Sequence, residues 1–198
     1  MCGTYYLGNE TLRDIYKLVH DIDSRLRTGQ INWSKDIHPT EQAPVITAGS
    51  NGGAHLSLQR WGYPGIQNKG VIFNARQESV WEKKMFDHGI RYHRAVIPAD
   101  YFYEWNANKE KYTFRRTNRQ PLFLAGFFDM LQNEERFVIL TTEANASMSP
   151  VHDRMPVILE QEQWKDWLYD PSAARDIMRE TPPLLDRDTP YEQMTLFQ

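Results

Sequence analysis

The chain has 198 residues, 40% of them hydrophobic and 25% charged, a formal net charge of −3, and 11 each of Gly and Pro. This is enough apolar material for one core and excludes collagen-like, low-complexity and disordered classes; the acidic balance excludes bulk attraction to nucleic acid or anionic membrane, though not a local basic groove. The longest apolar run, residues 121–128, stops at Asp129, far short of the roughly 20 residues that span a bilayer, and residues 1–20 hold Glu10, Arg13 and Asp14 without an apolar signal region, so a cytoplasmic location is expected.

Residues 1–7 form a Tyr-containing segment that predicts a buried strand carrying the N-terminus into the core. Thr11 opens a helical pattern, with Leu12, Ile15, Leu18, Val19, Ile22 and Leu26 at spacings of three and four and Gly29 as the stop. Residues 39–44 read as a loop, 45–48 as a strand, 50–53 as a Ser-Asn-Gly-Gly turn and 55–61 as a strand. Gly62-Tyr63-Pro64-Gly65 then breaks the chain, residues 71–73 predict a strand, and 75–88 predict a helix closed by Gly89. Further strands are predicted at 94–97, 101–105, 111–115, 122–127, 137–142 and 156–159, followed by helices at 160–168 and 171–179 and a last strand at 191–197. Helices among mostly antiparallel strands, without βαβ alternation, imply a single α+β domain over residues 1–198 with a curved sheet or barrel-like core flanked by helices.

Cys2 is the one cysteine, which excludes an intramolecular disulfide and a cysteine-based metal cluster within a single chain. Initiator Met is usually removed before a small residue, so Cys2 is expected to become the mature N-terminus and to present a free 1,2-aminothiol. Its amine has a reference pKa of roughly 7.7–8 and its thiol one of about 8.5. Such a pair condenses with an aldehyde through nitrogen to a Schiff base, then through sulfur to a thiazolidine. The bland reading is an inert buried cysteine beside a retained Met1.

Seven segments occur in order: Met1-Cys2-Gly3, Trp61-Gly62, Phe73-Asn74-Ala75-Arg76-Gln77-Glu78, Arg94-Ala95-Val96-Ile97-Pro98-Ala99, Phe102-Tyr103-Glu104-Trp105, Ala125-Gly126-Phe127 and His152-Asp153-Arg154-Met155-Pro156. Together they resemble the SOS-response-associated peptidase family, abasic-site processing proteins that crosslink themselves to DNA. The resemblance runs from residue 1 to about 159, and residues 160–198 form a less diagnostic helical tail.

The resemblance implies that Cys2 forms a thiazolidine with the ring-opened aldehyde of an abasic site in single-stranded DNA, with neither cofactor nor metal. It implies Glu104 and His152 as the acid/base pair and Asn74 as the residue orienting the terminal amine. It further implies Arg76 on a phosphate, Trp61 and Pro39 as apolar wedges against bases, and Trp105 and Thr141 as lining residues. The residue types suit these roles: a closed hemiacetal needs acid/base help to open, His as a type exchanges protons near neutrality, Arg forks onto phosphate, and an aromatic ring stacks on any base. Read alone, Glu104 is a strand-end ion-pair partner, His152 a loop or cap residue, Asn74 a turn or N-cap, Trp61 and Trp105 core or rim residues, and Arg76 a solvated helix start.

Arg60, Arg91, Arg94, Arg115 and Arg116 offer further positive charge that the sequence does not place on one face. Many relatives carry Arg at position 4, where this chain has Thr4, so one phosphate contact is missing. Two other classes stay open. One is an N-terminal-nucleophile amidohydrolase or peptidase, whose Met-Cys-Gly start is shared but whose Asn-Gly-Glu-Ile type segment is absent; the other is a non-catalytic single-strand binder.

Overall fold

The computed structural model describes residues 2–27, 33–49, 52–65, 67 and 69–190. Its first half comprises β1 (Thr4–Leu7), α1 (Asn9–Leu18), β2 (Asp21–Ile22), α2 (Ser24–Arg27), β3 (Lys35–Ile37), β4 (Gln42–Ala48), β5 (Ala54–Trp61), β6 (Tyr63–Pro64), β7 (Val71–Ile72), β8 (Asn74–Arg76) and α3 (Lys84–Tyr92). The second half comprises β9 (Arg94–Ala99), β10 (Tyr101–Trp105), β11 (Lys111–Arg116), β12 (Leu122–Leu131), β13 (Glu134–Glu143), β14 (Arg154–Pro156), β15 (Ile158–Leu159), α4 (Trp164–Tyr169), α5 (Pro171–Arg179) and β16 (Leu185–Asp188).

The ladder β5-β4-β9-β12-β13 closes on itself, because β13 also pairs in parallel with β5 at Arg136↔Arg60 and Phe137↔Trp61. Closure removes the edges that an open sheet would present. A second sheet runs β16-β11-β10-β1-β3, antiparallel throughout, and places the N-terminal strand between two partners. The expected α+β fold with a barrel-like core is therefore present.

Both faces of the ring are apolar at a period of two. Ala95, Ile97, Leu122, Leu124, Phe137 and Ile139 face a layer shared with Tyr5, Phe102 and Phe114 of the second sheet. Their neighbours Val96, Phe123, Ala125, Val138 and Leu140 face a layer covered by Leu12 and Ile15 of α1, Phe86 and Ile90 of α3, Trp164 and Trp167 of α4, and Ile177 and Met178 of α5. Strands buried on both faces read as continuous apolar runs, which is why residues 122–127 stand out in the sequence.

Several elements differ from the expectation. The helix opening near Thr11 stops at Leu18: Val19 is extended, His20 N donates to Ala54 O, and β2 docks parallel on β5 before α2 resumes. The tertiary edge of β5 thus overrides a periodicity that would continue to Leu26. Residues 75–88 are not one helix, because Asn74–Arg76 extends β13 in parallel and α3 begins only at Lys84. Gly89 lies inside α3, where a Cβ would meet Phe127 Cδ2 at 2.7 Å and the Phe128 carbonyl at 2.9 Å. The loop predicted at 39–44 is cut short by β4, and β3 and β16 are too short to carry a pattern. The predicted stop at Gly29 and strand 191–197 lie outside the described residues, as does half of the 50–53 turn.

Asp100, between β9 and β10, fixes the exit of β1. Its backbone N–H donates to Tyr6 O at 2.8 Å, while its carboxylate accepts from Gly8 N at 2.6 Å and Thr11 Oγ1 at 2.5 Å. The α1 N-cap, Gly8, has no side chain; the first helical N–H, that of Asn9, donates to Ser34 Oγ at 3.2 Å, while Asp100 holds the N-cap's own N–H and the Thr11 hydroxyl. Asp100→Ala is expected to cost about 1–3 kcal/mol in urea unfolding, the range for lost bonds to a charged acceptor. A change below about 0.5 kcal/mol, within the range of ordinary surface substitutions, would show that the cap does not anchor the strand.

Candidate functional site

The register of β1 against β10, with Thr4 opposite Tyr103, brings residue 2 to the end of β10 where Glu104 and Trp105 lie. Cys2 is 1% exposed and packs in the layer between the ring and the second sheet. Burial, followed by the charge of Glu104, pushes its thiol well above the ordinary cysteine range, so the sulfur is held as S–H. Asn74, brought alongside by the pairing of β8 with β13, donates from Nδ2 to the Cys2 carbonyl at 2.8 Å. Asn74 Oδ1 is buried with no hydrogen-bond partner among the described residues. The hydroxyl of Tyr5 is likewise buried and unpartnered among them, and burial together with Cys2 and Glu41 raises its pKa.

Glu104 is 3% exposed, and its Oε1 lies 4.0 Å from Nε2 of His152. The turn before β14 supplies that ring: His152 N donates to Met148 O, and the ring's Nδ1 accepts from Arg154 N at 3.0 Å. Asp153 Oδ1 also lies 2.8 Å from Nδ1 and favours a proton there, but its side chain is 83% exposed and water screens it. The ring thus meets a backbone donor and an exposed carboxylate on its Nδ1 edge and Glu104 on its Nε2 edge. The site thus contains a thiol held as S–H, a buried carboxyl group and an imidazole whose Nε2 lies 4.0 Å from it.

Other predicted residues divide. Arg76 projects from β8 on the same face as Asn74, exposed and with no ion pair among the described residues. It borders an open depression of about 410 Å³ lined by Arg76, Glu143, Ala144, Ser149, Asp153 and Arg154, a surface of mixed sign. Trp105 is 39% exposed on the face of the second sheet that carries Thr4 and Tyr103, and Pro39 is half-buried. Lys111 joins this face, its Nζ 3.3 Å from the Tyr103 ring centroid and 5.9 Å from that of Trp105; sequence reasoning missed it because only the β10–β11 register brings it there. Thr4 is buried, and its hydroxyl bonds Nδ1 of exposed His38 at 3.2 Å.

Two expected contacts are corrected. Trp61 is fully buried, with Nε1 donating to Phe73 O at 2.9 Å and its ring 5.2 Å from that of Tyr5, so it is a core residue and reaches no base. Thr141 is also fully buried; its carbonyl accepts from Arg154 Nη2 at 2.7 Å, and it supports the site from beneath. The guanidinium of Arg154 is further held by Glu78 through bonds of 2.7 and 2.9 Å, a bidentate pair that stiffens the turn carrying His152. None of the five additional arginines adds free charge: Arg60 pairs with Glu134, Arg91 with Asp87, Arg115 with Asp188 and Arg116 with Glu160, while Arg94 is buried against carbonyls including Trp167 O.

The model of the family described as SOS response associated peptidase (SRAP) matches residues 1–196. The chain is 32% identical over 196 residues to the abasic site processing protein YoaM of Bacillus subtilis, covering 90% of this chain and 84% of that one. It is 33% identical over 194 residues to the abasic site processing protein YoqW of Bacillus phage SPbeta, covering 90% and 85%. A crystal structure of a protein from Bordetella bronchiseptica superposes with a TM-score of 0.78 at 24% identity, covering 95% of this chain and 99% of that one. One from Bacteroides thetaiotaomicron gives 0.78 at 19%, covering 95% and 91%. These two bear on the fold alone.

The burial of Trp61 has a measurable consequence. Trp61→Ala is expected to lower stability to urea by about 3–5 kcal/mol, the cost of truncating a buried aromatic residue. A loss below about 1 kcal/mol, smaller than any core truncation of that size, would contradict its place in the core.

Proposed function

The chain belongs to the SOS response associated peptidase family, and from that premise we propose that it processes abasic sites in single-stranded DNA by trapping them on Cys2. The observation that carries this reading is the convergence of residues 2, 74, 104 and 152, four positions far apart in sequence, around one buried sulfur.

With Met1 removed, the α-amine of Cys2 attacks the aldehyde of the opened sugar. A C–N bond forms, the carbonyl oxygen leaves as water, and an imine results. The thiol then adds to the imine carbon, its proton passes to nitrogen, and the thiazolidine ring closes. Glu104 and His152 move the protons, first in opening the cyclic hemiacetal and then in the two additions. Asn74 holds the residue-2 carbonyl through Nδ2, and its buried Oδ1 is the acceptor for the freed amine. Arg76 meets a phosphate, while Trp105, Pro39 and Lys111 form an apolar and cationic surface for bases and backbone, with little sequence preference.

A single-stranded oligonucleotide with one abasic site, incubated with the protein and run on a denaturing gel, tests the proposal. The wild type is expected to give a heat-resistant shifted band, and Cys2→Ala none, while binding to intact single strands is kept. Glu104→Gln and His152→Ala are expected to slow the band's appearance by about 10² or more, the usual effect of losing an acid/base group. An undiminished band from Cys2→Ala would refute the thiazolidine, and wild-type rates in both other variants would make Glu104 and His152 structural.

A further inference from the structure

A second cluster of donor atoms lies on the part of the surface formed by α3 and β12. His88 projects from α3, and His93 caps the helix, its backbone leaving helical geometry at φ −128° and ψ 49°. That turn is tied down on both sides, His93 N donating to Gly89 O at 2.8 Å and Phe128 N donating to His93 O at 2.9 Å. The second bond sets His93 beside Asp129, the next residue of β12. Nδ1 of His88 lies 3.1 and 3.0 Å from the two oxygens of Asp129, and Nδ1 of His93 lies 3.7 Å from Oδ1.

We propose that His88, His93 and Asp129 bind one divalent first-row transition-metal ion, of the Zn²⁺ or Co²⁺ type. All three candidate ligand atoms lie within 4.8 Å of one another. Metal–ligand bonds of about 2.0–2.1 Å in tetrahedral geometry separate the donors by roughly 3.3 Å, close to the spacings of 3.0 and 3.7 Å that Asp129 already keeps to the two rings. Two imidazoles and one carboxylate suit Zn²⁺ or Co²⁺ and disfavour the all-oxygen cations Mg²⁺ and Ca²⁺.

Two further observations point to a ligand here. Nδ1 of His93 is buried and makes no hydrogen bond among the described residues, although its ring is fixed by stacking on Phe128 at 4.9 Å. The Tyr63 hydroxyl is buried and equally unpartnered among them, and it reaches α3 at Gly89, 2.9 Å from where a Cβ would stand. Coordination gives the imidazole a partner. The His88 side chain is 60% exposed, which leaves an entry path and coordination positions for water.

The test uses tag-free protein stripped with a chelator and titrated with Co²⁺. The wild type is expected to develop visible d–d bands that saturate at one ion per chain and are bleached by Zn²⁺. His88→Ala and Asp129→Asn are each expected to weaken binding at least about 10-fold, the scale on which coordination-shell changes act. Thermal melting without metal checks that the variants fold, and the exposure of His88 makes its replacement benign. Cys2→Ala is expected to bind Co²⁺ as the wild type does. Absence of a stoichiometric spectrum, or one unaltered by His88→Ala and Asp129→Asn, would overturn the proposal, as would loss of the spectrum in Cys2→Ala, which would put the ion on Cys2, His152 and Glu104.

Discussion

The hydrogen bond from Asn74 Nδ2 to the Cys2 carbonyl joins the start of the second sheet to a strand on the edge of the closed ring. Chain termini fray unless something ties them down, and the chemistry proposed at residue 2 requires a fixed geometry. The rest of the architecture serves that constraint. β1 is held between β3 and β10, Asp100 secures its far end, and the apolar layer seals Cys2 from below. Closure of the ring through β5 and β13 makes the platform rigid, so Asn74 and Cys2 are positioned by separate sheets that share one core.

Burial also decides the order of events. A thiol pushed up by desolvation and by a neighbouring carboxylate is held as S–H, so in the proposed reaction sulfur does not attack first. In the proposed reaction nitrogen does, and sulfur follows once an imine carbon stands beside it and a base can take its proton. His152, whose Nε2 lies 4.0 Å from Glu104, forms with that carboxyl group the pair that exchanges this proton in the proposed reaction. The Arg154–Glu78 pair adds little to stability for an ion pair open on one side, but it fixes the turn that aims His152.

Much of this was legible in the sequence. Strands such as β9, β10 and β12 carry apolar alternation or runs strong enough to be read directly, and the segments around Cys2, Asn74, Glu104 and His152 mark the residues that converge. What was hidden depended on contacts distant in sequence. Asn74-Ala75-Arg76 reads as the start of a helix until β13 offers it a parallel partner. Trp61 reads alone as a core or rim residue and through the resemblance as a wedge against bases, because an aromatic side chain gives no sign of which face it will occupy; pairing with β13 turns it into the core. Lys111 reaches Trp105 only through the β10–β11 register, and Asp129 meets His88 and His93 only after β12 passes beneath the end of α3.

The central claim is that one bond from nitrogen and one from sulfur of residue 2 join the same sugar carbon. Mass spectrometry of the nuclease- and protease-digested adduct measures this directly. The account predicts a single modified peptide beginning at Cys2, lacking Met1, with a mass equal to peptide plus abasic sugar fragment less one water, and no free thiol to alkylate. An adduct that retains Met1, resides on a lysine, or leaves the Cys2 thiol open to alkylation would contradict it.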